Sequence, residues 1–330
     1  MFFHRRAFAK LALVPLVGAS VAWAQSPTAA PVSGKPPLRF VIPLGPGSAQ
    51  DGIVRRLGER MSAVLGQNAI VENKPGASGI LATDTVVKGP ADGSVLTFTM
   101  ASTISIAPHT FRKLPYDPLR DLKPVIRVGT TPLLLVVNAS NPARNLAEFL
   151  DNARKNPGKV SFGSFGNGTS AHLLGEELNL KAGVKLLHVP YKTVATPDLL
   201  GGVLDSAITD FGSIRDFLRP PARLRVLAIT GASRNREYPD IPRFGEQGFP
   251  SLDPMVGWVG IFAPAGVPDG QVAQLTKDLT GLVDGPEVQQ TLRLFGYDAG
   301  TLTGDAFRRY VQEDYNRWGA IARAINLELN

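Results

Sequence analysis

The 330-residue chain contains no cysteine. That absence excludes thiol nucleophiles, thiolate-held metals and disulfides, and it suits an oxidising compartment. Histidine is also scarce, with four in all. Leaving aside His4 near the N-terminus, His109, His172 and His188 remain, and no two stand at the His-x-x-x-His spacing of a helical metal site. No Gly-x-Ser-x-Gly elbow is present, and no Gly-Lys-Ser/Thr follows a glycine at phosphate-loop spacing. These absences argue against nucleophilic hydrolysis, metal catalysis and nucleotide hydrolysis. No apolar run after residue 24 reaches the ~18 residues of a membrane span. Basic residues such as Arg55-Arg56, Arg234/Arg236 and Arg308-Arg309 are scattered without interleaved aromatics, so a nucleic-acid partner is not expected. There is no repeat of solenoid period and no low-complexity tract.

The N-terminus reads as an export leader. Arg5, Arg6 and Lys10 form a basic region, Leu11 to Val21 an apolar stretch, and Ala22-Trp23-Ala24 a small-x-small cleavage pattern. A signal peptide over 1–24 is expected, with periplasmic delivery. Arg5-Arg6-x-Phe8-x-Lys10 fits both an ordinary Sec leader and the twin-arginine route. Residues 25–37, rich in Ser, Pro, Thr and Ala, read as a flexible lead-in. Three of the +7 formal charges belong to the leader, which leaves +4 on the remainder. A mild positive balance favours anionic ligands. About 300 residues exceed what one hydrophobic core usually serves, so two lobes are expected.

Short apolar runs alternate with helical periodicity. Strands are predicted at 38–44, 69–72, 95–100, 131–137, 160–163, 185–189, 206–211, 224–230 and 257–262. Helices are predicted at 51–65, 79–88, 145–155, 169–181, 196–201, 268–283, 286–295 and 303–326. The class is α/β, with parallel sheets covered by helices on both faces. Thr303 is the expected cap of the last helix. Phe307, Tyr310, Val311, Trp318 and Ile321 form its core stripe, and Glu313 and Asp314 are assigned to its solvated face.

Two strand-to-helix turns carry the functional signal. In "VIPLGPGSAQDG" (41–52), Gly45, Gly47 and Gly52 surround Pro46, Ser48, Gln50 and Asp51. Glycines let main-chain N–H groups face a ligand, and a helix start adds unpaired N–H groups and a positive dipole end. Together these make an anion seat. Asp51 is expected to cap the helix, which puts the ligand on the preceding turn. The second turn, Gly163-Ser164-Phe165-Gly166-Asn167-Gly168-Thr169-Ser170, is richer still in glycine, hydroxyl and amide groups. Gly166-x-Gly168-x-x-Ala171 matches a permissive dinucleotide pattern, but the next strand ends His188-Val189-Pro190-Tyr191 with no acid for a ribose, so no nucleotide cofactor is expected. His172 is assigned to loop orientation and His188 to the strand core. No metal site and no catalytic residue is assigned.

These segments resemble a known family. "VIPLGPGSAQDGIVRRLGERM", "VENKPGASGI", "LPYDPLRDLKPV", "FGSFGNGTSAHLLGE", "HVPYK", "DLLGG", "LRVLAIT" and "GWVGIFAPAGVP" follow in the order of the Bug (TctC-type) extracytoplasmic solute-binding proteins, which serve tripartite tricarboxylate transporters. The resemblance spans essentially everything after the leader. It implies a type II periplasmic-binding-protein fold: two α/β lobes, 38–137 plus 256–330 and 138–255, joined by crossing hinge strands around a ligand cleft. It further implies a monomeric receptor, without cofactor, that delivers a carboxylate to membrane permease subunits. Carried over by position, Leu44, Gly45, Pro46, Gly47, Ser48, Gln50 and Asp51 line one side, joined by Ser102 and Thr103. Ser164, Gly166, Asn167, Gly168, Thr169 and Ser170 line the other, with Thr193 and Asp210 on loops that reach the cleft.

The chain departs from the pattern in three places. Ser48 replaces a glycine, Gln50 stands where a small residue is usual, and "YKTVATPDLL" lacks a glycine after Lys192 and is about two residues short. The expected ligand is a small organic carboxylate: an aliphatic di- or tricarboxylate, an acidic amino acid, or an aromatic dicarboxylate such as terephthalate. Asp210, if it faces the cleft, favours a ligand that also bears an amine or hydroxyl. The alternatives are a secreted hydrolase of carboxylate esters and a sensory protein that reports its ligand to a membrane kinase.

Overall fold

The computed structural model describes residues 36–192 and 194–329. The leader and most of the lead-in lie outside the described residues, as does Thr193. The first elements are β1 (Leu38–Ile42), α1 (Ala49–Leu65), β2 (Ala69–Asn73), α2 (Ile80–Val87) and β3 (Val95–Met100). A π-helical turn (Ser102–Ile106) continues into α3 (Ala107–Thr110), followed by α4 (Pro118–Asp121) and β4 (Leu122–Thr131). Then come β5 (Leu134–Asn138), α5 (Leu146–Lys155), β6 (Ser161–Ser164), α6 (Ser170–Ala182), β7 (Leu187–Pro190) and α7 (Thr196–Leu200). β8 (Ser206–Thr209), α8 (Phe211–Leu218) and β9 (Leu224–Ile229) complete the middle of the chain. β10 (Gly257–Pro264), α9 (Asp269–Val283), α10 (Pro286–Leu294), β11 (Asp298–Thr303) and α11 (Gly304–Ala324) end it.

The strands form a six-stranded sheet, in the order β11-β4-β10-β3-β1-β2, and a five-stranded sheet, β7-β6-β8-β5-β9. The α/β class is as the alternation predicts, but neither sheet is wholly parallel. β10 runs antiparallel to both β3 and β4, and β5 antiparallel to both β8 and β9. The run Thr131–Val137, predicted as one strand, is divided between the sheets. Pro132 cannot donate to a ladder; β4 ends before it in the first sheet, and β5 begins after it in the second. The chain therefore crosses between sheets within two residues, and Gly257 at the start of β10 pairs with Thr131 beside that crossing.

α11 ties the two halves together. Phe307 and Val311 pack with Trp258 and Phe262, while Trp318 and Ile321 pack with Leu135, Phe162 and Leu178 of the other core. Burying each of these large side chains contributes roughly 1.5–3 kcal/mol. Thr303 holds the cap position, although its side chain makes no capping bond. Asp314 is not on a solvated face. It is fully buried and accepts a 2.7 Å hydrogen bond from the Trp258 indole and one of 3.0 Å from Arg317. Aspartate in a helix tolerates this burial because both partners satisfy it. No helix among the described residues is long and apolar enough to cross a membrane.

Candidate functional site

The geometry follows from parallel pairing. β1 and β3 run parallel, as do β6 and β8, so their carboxyl ends lie at one edge of each sheet. In such sheets ligands sit outside the carboxyl ends of the strands. The turn from Pro43 to Ser48 follows β1, and the helical stretch Ser102–Thr110 follows β3. The turn from Phe165 to Thr169 follows β6, and Asp210 follows β8. The expected site residues thus sort onto two strand edges, with Thr193 alone outside the described residues.

In the first turn the cap is Ser48, not Asp51. The Ser48 hydroxyl accepts from the Asp51 N–H at 3.2 Å. Asp51 lies three residues on, and its carboxylate reaches back to accept from the Gly47 N–H at 3.0 Å, a variant of the reciprocal capping box. It also accepts from Arg55 and from Asn73, each at 3.0 Å. Those bonds, Arg55 foremost, hold its carboxyl down at about 2 against the cost of burial. Asp51 therefore stiffens the turn. Asn73 donates a further hydrogen bond to the Leu44 carbonyl at 2.9 Å. Gly47 has φ 81°, a conformation that only glycine adopts without strain, and it is exposed together with Pro46. Gln50 is buried and donates to the Tyr297 hydroxyl at 3.0 Å.

Ser102 and Thr103 are buried at the start of the π-helical turn. Thr103 donates to the Ser78 carbonyl at 3.2 Å. Gly79 is wedged there, since a Cβ on it would stand 2.5 Å from the Thr103 hydroxyl and 3.0 Å from Pro43. This end of the helical stretch is thereby locked to the first turn.

The second turn is organised by two imidazoles. Thr169 caps α6 by accepting from the His172 N–H, and its hydroxyl donates to the Gly166 carbonyl at 2.8 Å. His172 Nδ1 accepts from the Gly168 N–H at 3.2 Å, so His172 orients the loop, as expected. Its ring stacks on that of His188, centroids 3.8 Å apart. Burial pushes His172 down to about 4; burial and then the charge of its neighbour push His188 down to about 3. His188 Nε2 lies 2.7 Å from the Ser164 hydroxyl. That contact was not visible in the sequence, because it arises from the β6–β7 register, which pairs Phe162 with His188. Ser164 is 1% exposed, and its hydroxyl is also engaged by the N–H and carbonyl of Gly166. It holds the loop and presents no free hydroxyl to solvent. Asn167 is exposed at the tip, while Gly168 and Ser170 are buried.

Two contacts bring the edges together. A Cβ on Gly168 would stand 2.7 Å from Leu329 and 3.6 Å from the Thr110 hydroxyl, so the second turn abuts the far end of the Ser102–Thr110 stretch. At the other contact, Asp210 caps α8, accepting from the N–H and hydroxyl of Ser213, both at 2.9 Å. Burial raises the Asp210 carboxyl, and burial plus the charge of Asp210 raise Tyr297. Tyr297 also holds Gln50 of the first turn. Beside it, Gly212 meets Phe295 and Gly296 so closely that a Cβ on Gly212 would lie 2.7 Å from the Phe295 carbonyl oxygen. Phe295, Gly296 and Tyr297 carried no signal in the sequence beyond a glycine after an aromatic.

The chain matches the model of the family described as "Tripartite tricarboxylate transporter family receptor" over residues 53–327. Among solved structures it is similar to the periplasmic binding protein BugD, at 27% identity and a TM-score of 0.78 over 90% of this chain and 100% of that one. It is similar to Rpa4515 of Rhodopseudomonas palustris, solved with adipate, at 27% identity and TM-score 0.81, over 90% and 99% of the two chains. MatC of the same organism, solved with bound malate, matches at 26% identity and TM-score 0.75 over 88% and 99%. The two-lobed binding-protein architecture implied by the sequence blocks is the architecture of these neighbours.

Proposed function

Because the chain belongs to the tripartite tricarboxylate transporter receptor family, we propose that it captures a small dicarboxylate between its two strand edges and delivers it from the periplasm to membrane permease subunits. The observation that carries this reading is the pair of glycine- and hydroxyl-rich turns, one at each edge, with the two halves in close contact where Gly212 meets Phe295 and Gly296. With the Gly47, Gly166 and Gly168 N–H groups bonded within the protein, the donors left to a ligand are the Gly45 N–H, the Ser48 hydroxyl and the exposed Asn167 side chain, while Asp51 occupies Arg55. Neutral donors hold a carboxylate well when water is excluded, since hydrogen bonds to charged groups are worth about 1.5–3 kcal/mol each. Adipate and malate in the two Rhodopseudomonas neighbours support a short aliphatic dicarboxylate as the ligand class. The two halves close on the ligand and open for hand-off, a hinge motion about the Pro132 crossing.

A thermal-shift panel of adipate, malate, citrate, glutamate and terephthalate tests the reading. A bound acid at 100 times its Kd should stabilise the fold by about 2.7 kcal/mol and be recovered unchanged. A panel with no stabilising acid, or catalytic turnover of the corresponding esters, would overturn it.

A further inference from the structure

A cavity lies between the two halves beside β4, β9 and β11, and no residue of the two glycine-rich turns lines it. Its volume is about 560 Å³, within the range of small-molecule sites. Arg127, Arg293 and Tyr297 line it from the half built on the first sheet, and Arg215, Arg234 and Arg236 from the other. Five guanidinium groups therefore face one concavity, against the carboxylates of Glu237 and Asp298. Arg215 spends one nitrogen on Glu237 at 3.0 Å, and Arg234 is paired with Glu246. The remaining three have no carboxylate within 4.0 Å among the described residues.

The cavity is built for charge as well as lined by it. Arg127 is fixed over the Tyr310 ring, 4.4 Å from its centroid, and its Nε donates to the Gly300 carbonyl at 2.7 Å. That orientation leaves its terminal nitrogens for another partner. The Nε of Arg215 is buried and has no hydrogen-bond partner among the described residues. A buried guanidinium donor left unpaired is costly, and a ligand oxygen is one way to satisfy it. Several planar guanidinium forks lining one cavity suit an oxyanion with more than one charge. Carboxylate or phosphoryl oxygens would meet the same requirement.

We propose that this cavity is a second anion site, separate from the glycine-rich turns, for a small multivalent oxyanion. The inference rests on the guanidinium groups and not on either turn, although Tyr297, which lines the cavity, also holds Gln50 of the first turn. Inorganic pyrophosphate is the probe, being multivalent and not a carboxylate. Titration calorimetry on the full chain should show saturable 1:1 binding that weakens as salt is raised. The double variant Arg236→Gln/Arg293→Gln removes two exposed cations and should weaken binding at least tenfold with an unchanged melting temperature. Arg112→Gln, at the distant Glu328 pair, should leave it as in the parent. No saturable pyrophosphate binding, or equal affinity in the double variant, would overturn the proposal.

Discussion

Replacing Gly212 by alanine should weaken carboxylate capture about tenfold while leaving the melting temperature of the unliganded protein nearly unchanged. Gly212 is the second residue of α8 and sits against the segment that leads into β11. The added Cβ would lie 2.7 Å from the Phe295 carbonyl oxygen and 3.3 Å from its carbon. Backbone atoms cannot rotate aside, so the two halves would have to separate by several tenths of an ångström. Overpacking of this kind costs about 1–3 kcal/mol. Alanine is also the better helix former, so an opened form loses nothing. On the hinge reading proposed above, in which this contact forms when the halves close, the cost falls on the closed arrangement, and 1.4 kcal/mol is a factor of ten in affinity. Gly296 faces the same contact with φ 77°, which alanine would strain outright, making Gly212 the cleaner probe. Titration calorimetry and small-angle scattering read the outcome. A Gly212→Ala protein that binds as tightly as the parent, with the same ligand-dependent compaction, would show that this contact does not limit closure.

Acidification should destabilise the protein through the stacked imidazoles. A histidine kept neutral by the fold contributes its full stability above its ordinary value of 6.5. Below that, the unfolded chain takes up a proton that the native state refuses. Stability is therefore lost as the pH falls from 6.5 through about 4 for His172 and about 3 for His188. The mechanism is local. A proton on His172 Nδ1 abolishes the acceptor for the Gly168 N–H and places a cation against the His188 ring. In His172→Gln an amide oxygen can still accept from Gly168, but nothing at position 172 titrates, and only His188 remains of the pair. The variant should lose about 2 kcal/mol less than the parent between pH 7 and pH 4.5, judged by urea unfolding. Parallel acid limbs in the two proteins would place the sensitivity elsewhere.

Much of the fold is legible because local pattern and tertiary role agree. β3 lies at 95–100 as its apolar run predicts, and α1, α6 and α9 match their periodic stretches within two residues. Prediction fails where the partner decides the element. Residues 134–137 are all buried, so their pattern cannot tell which sheet receives them, and only the paired strands place β5 with β8 and β9. β11 is a half-exposed edge strand with a register shift, and it has no alternation to read. α8 is hidden in the sequence because Asp210 and Phe211 extend the apolar run of β8, whereas Asp210 is the helix cap. The site divides in the same way. Both turns are visible as glycine-rich sequence, but the Gln50–Tyr297 bond joins residues 247 apart, and the Ser164–His188 contact exists only through strand register.

The central claim is that both turns grip one ligand. Amide hydrogen exchange, with and without the acid that gives the largest thermal shift, tests it residue by residue. The amides of Gly45, Gly47 and Ser48 and those of Gly166 to Ser170 should slow together on binding. Protection confined to one turn, or to neither while the ligand is demonstrably bound, would contradict the account.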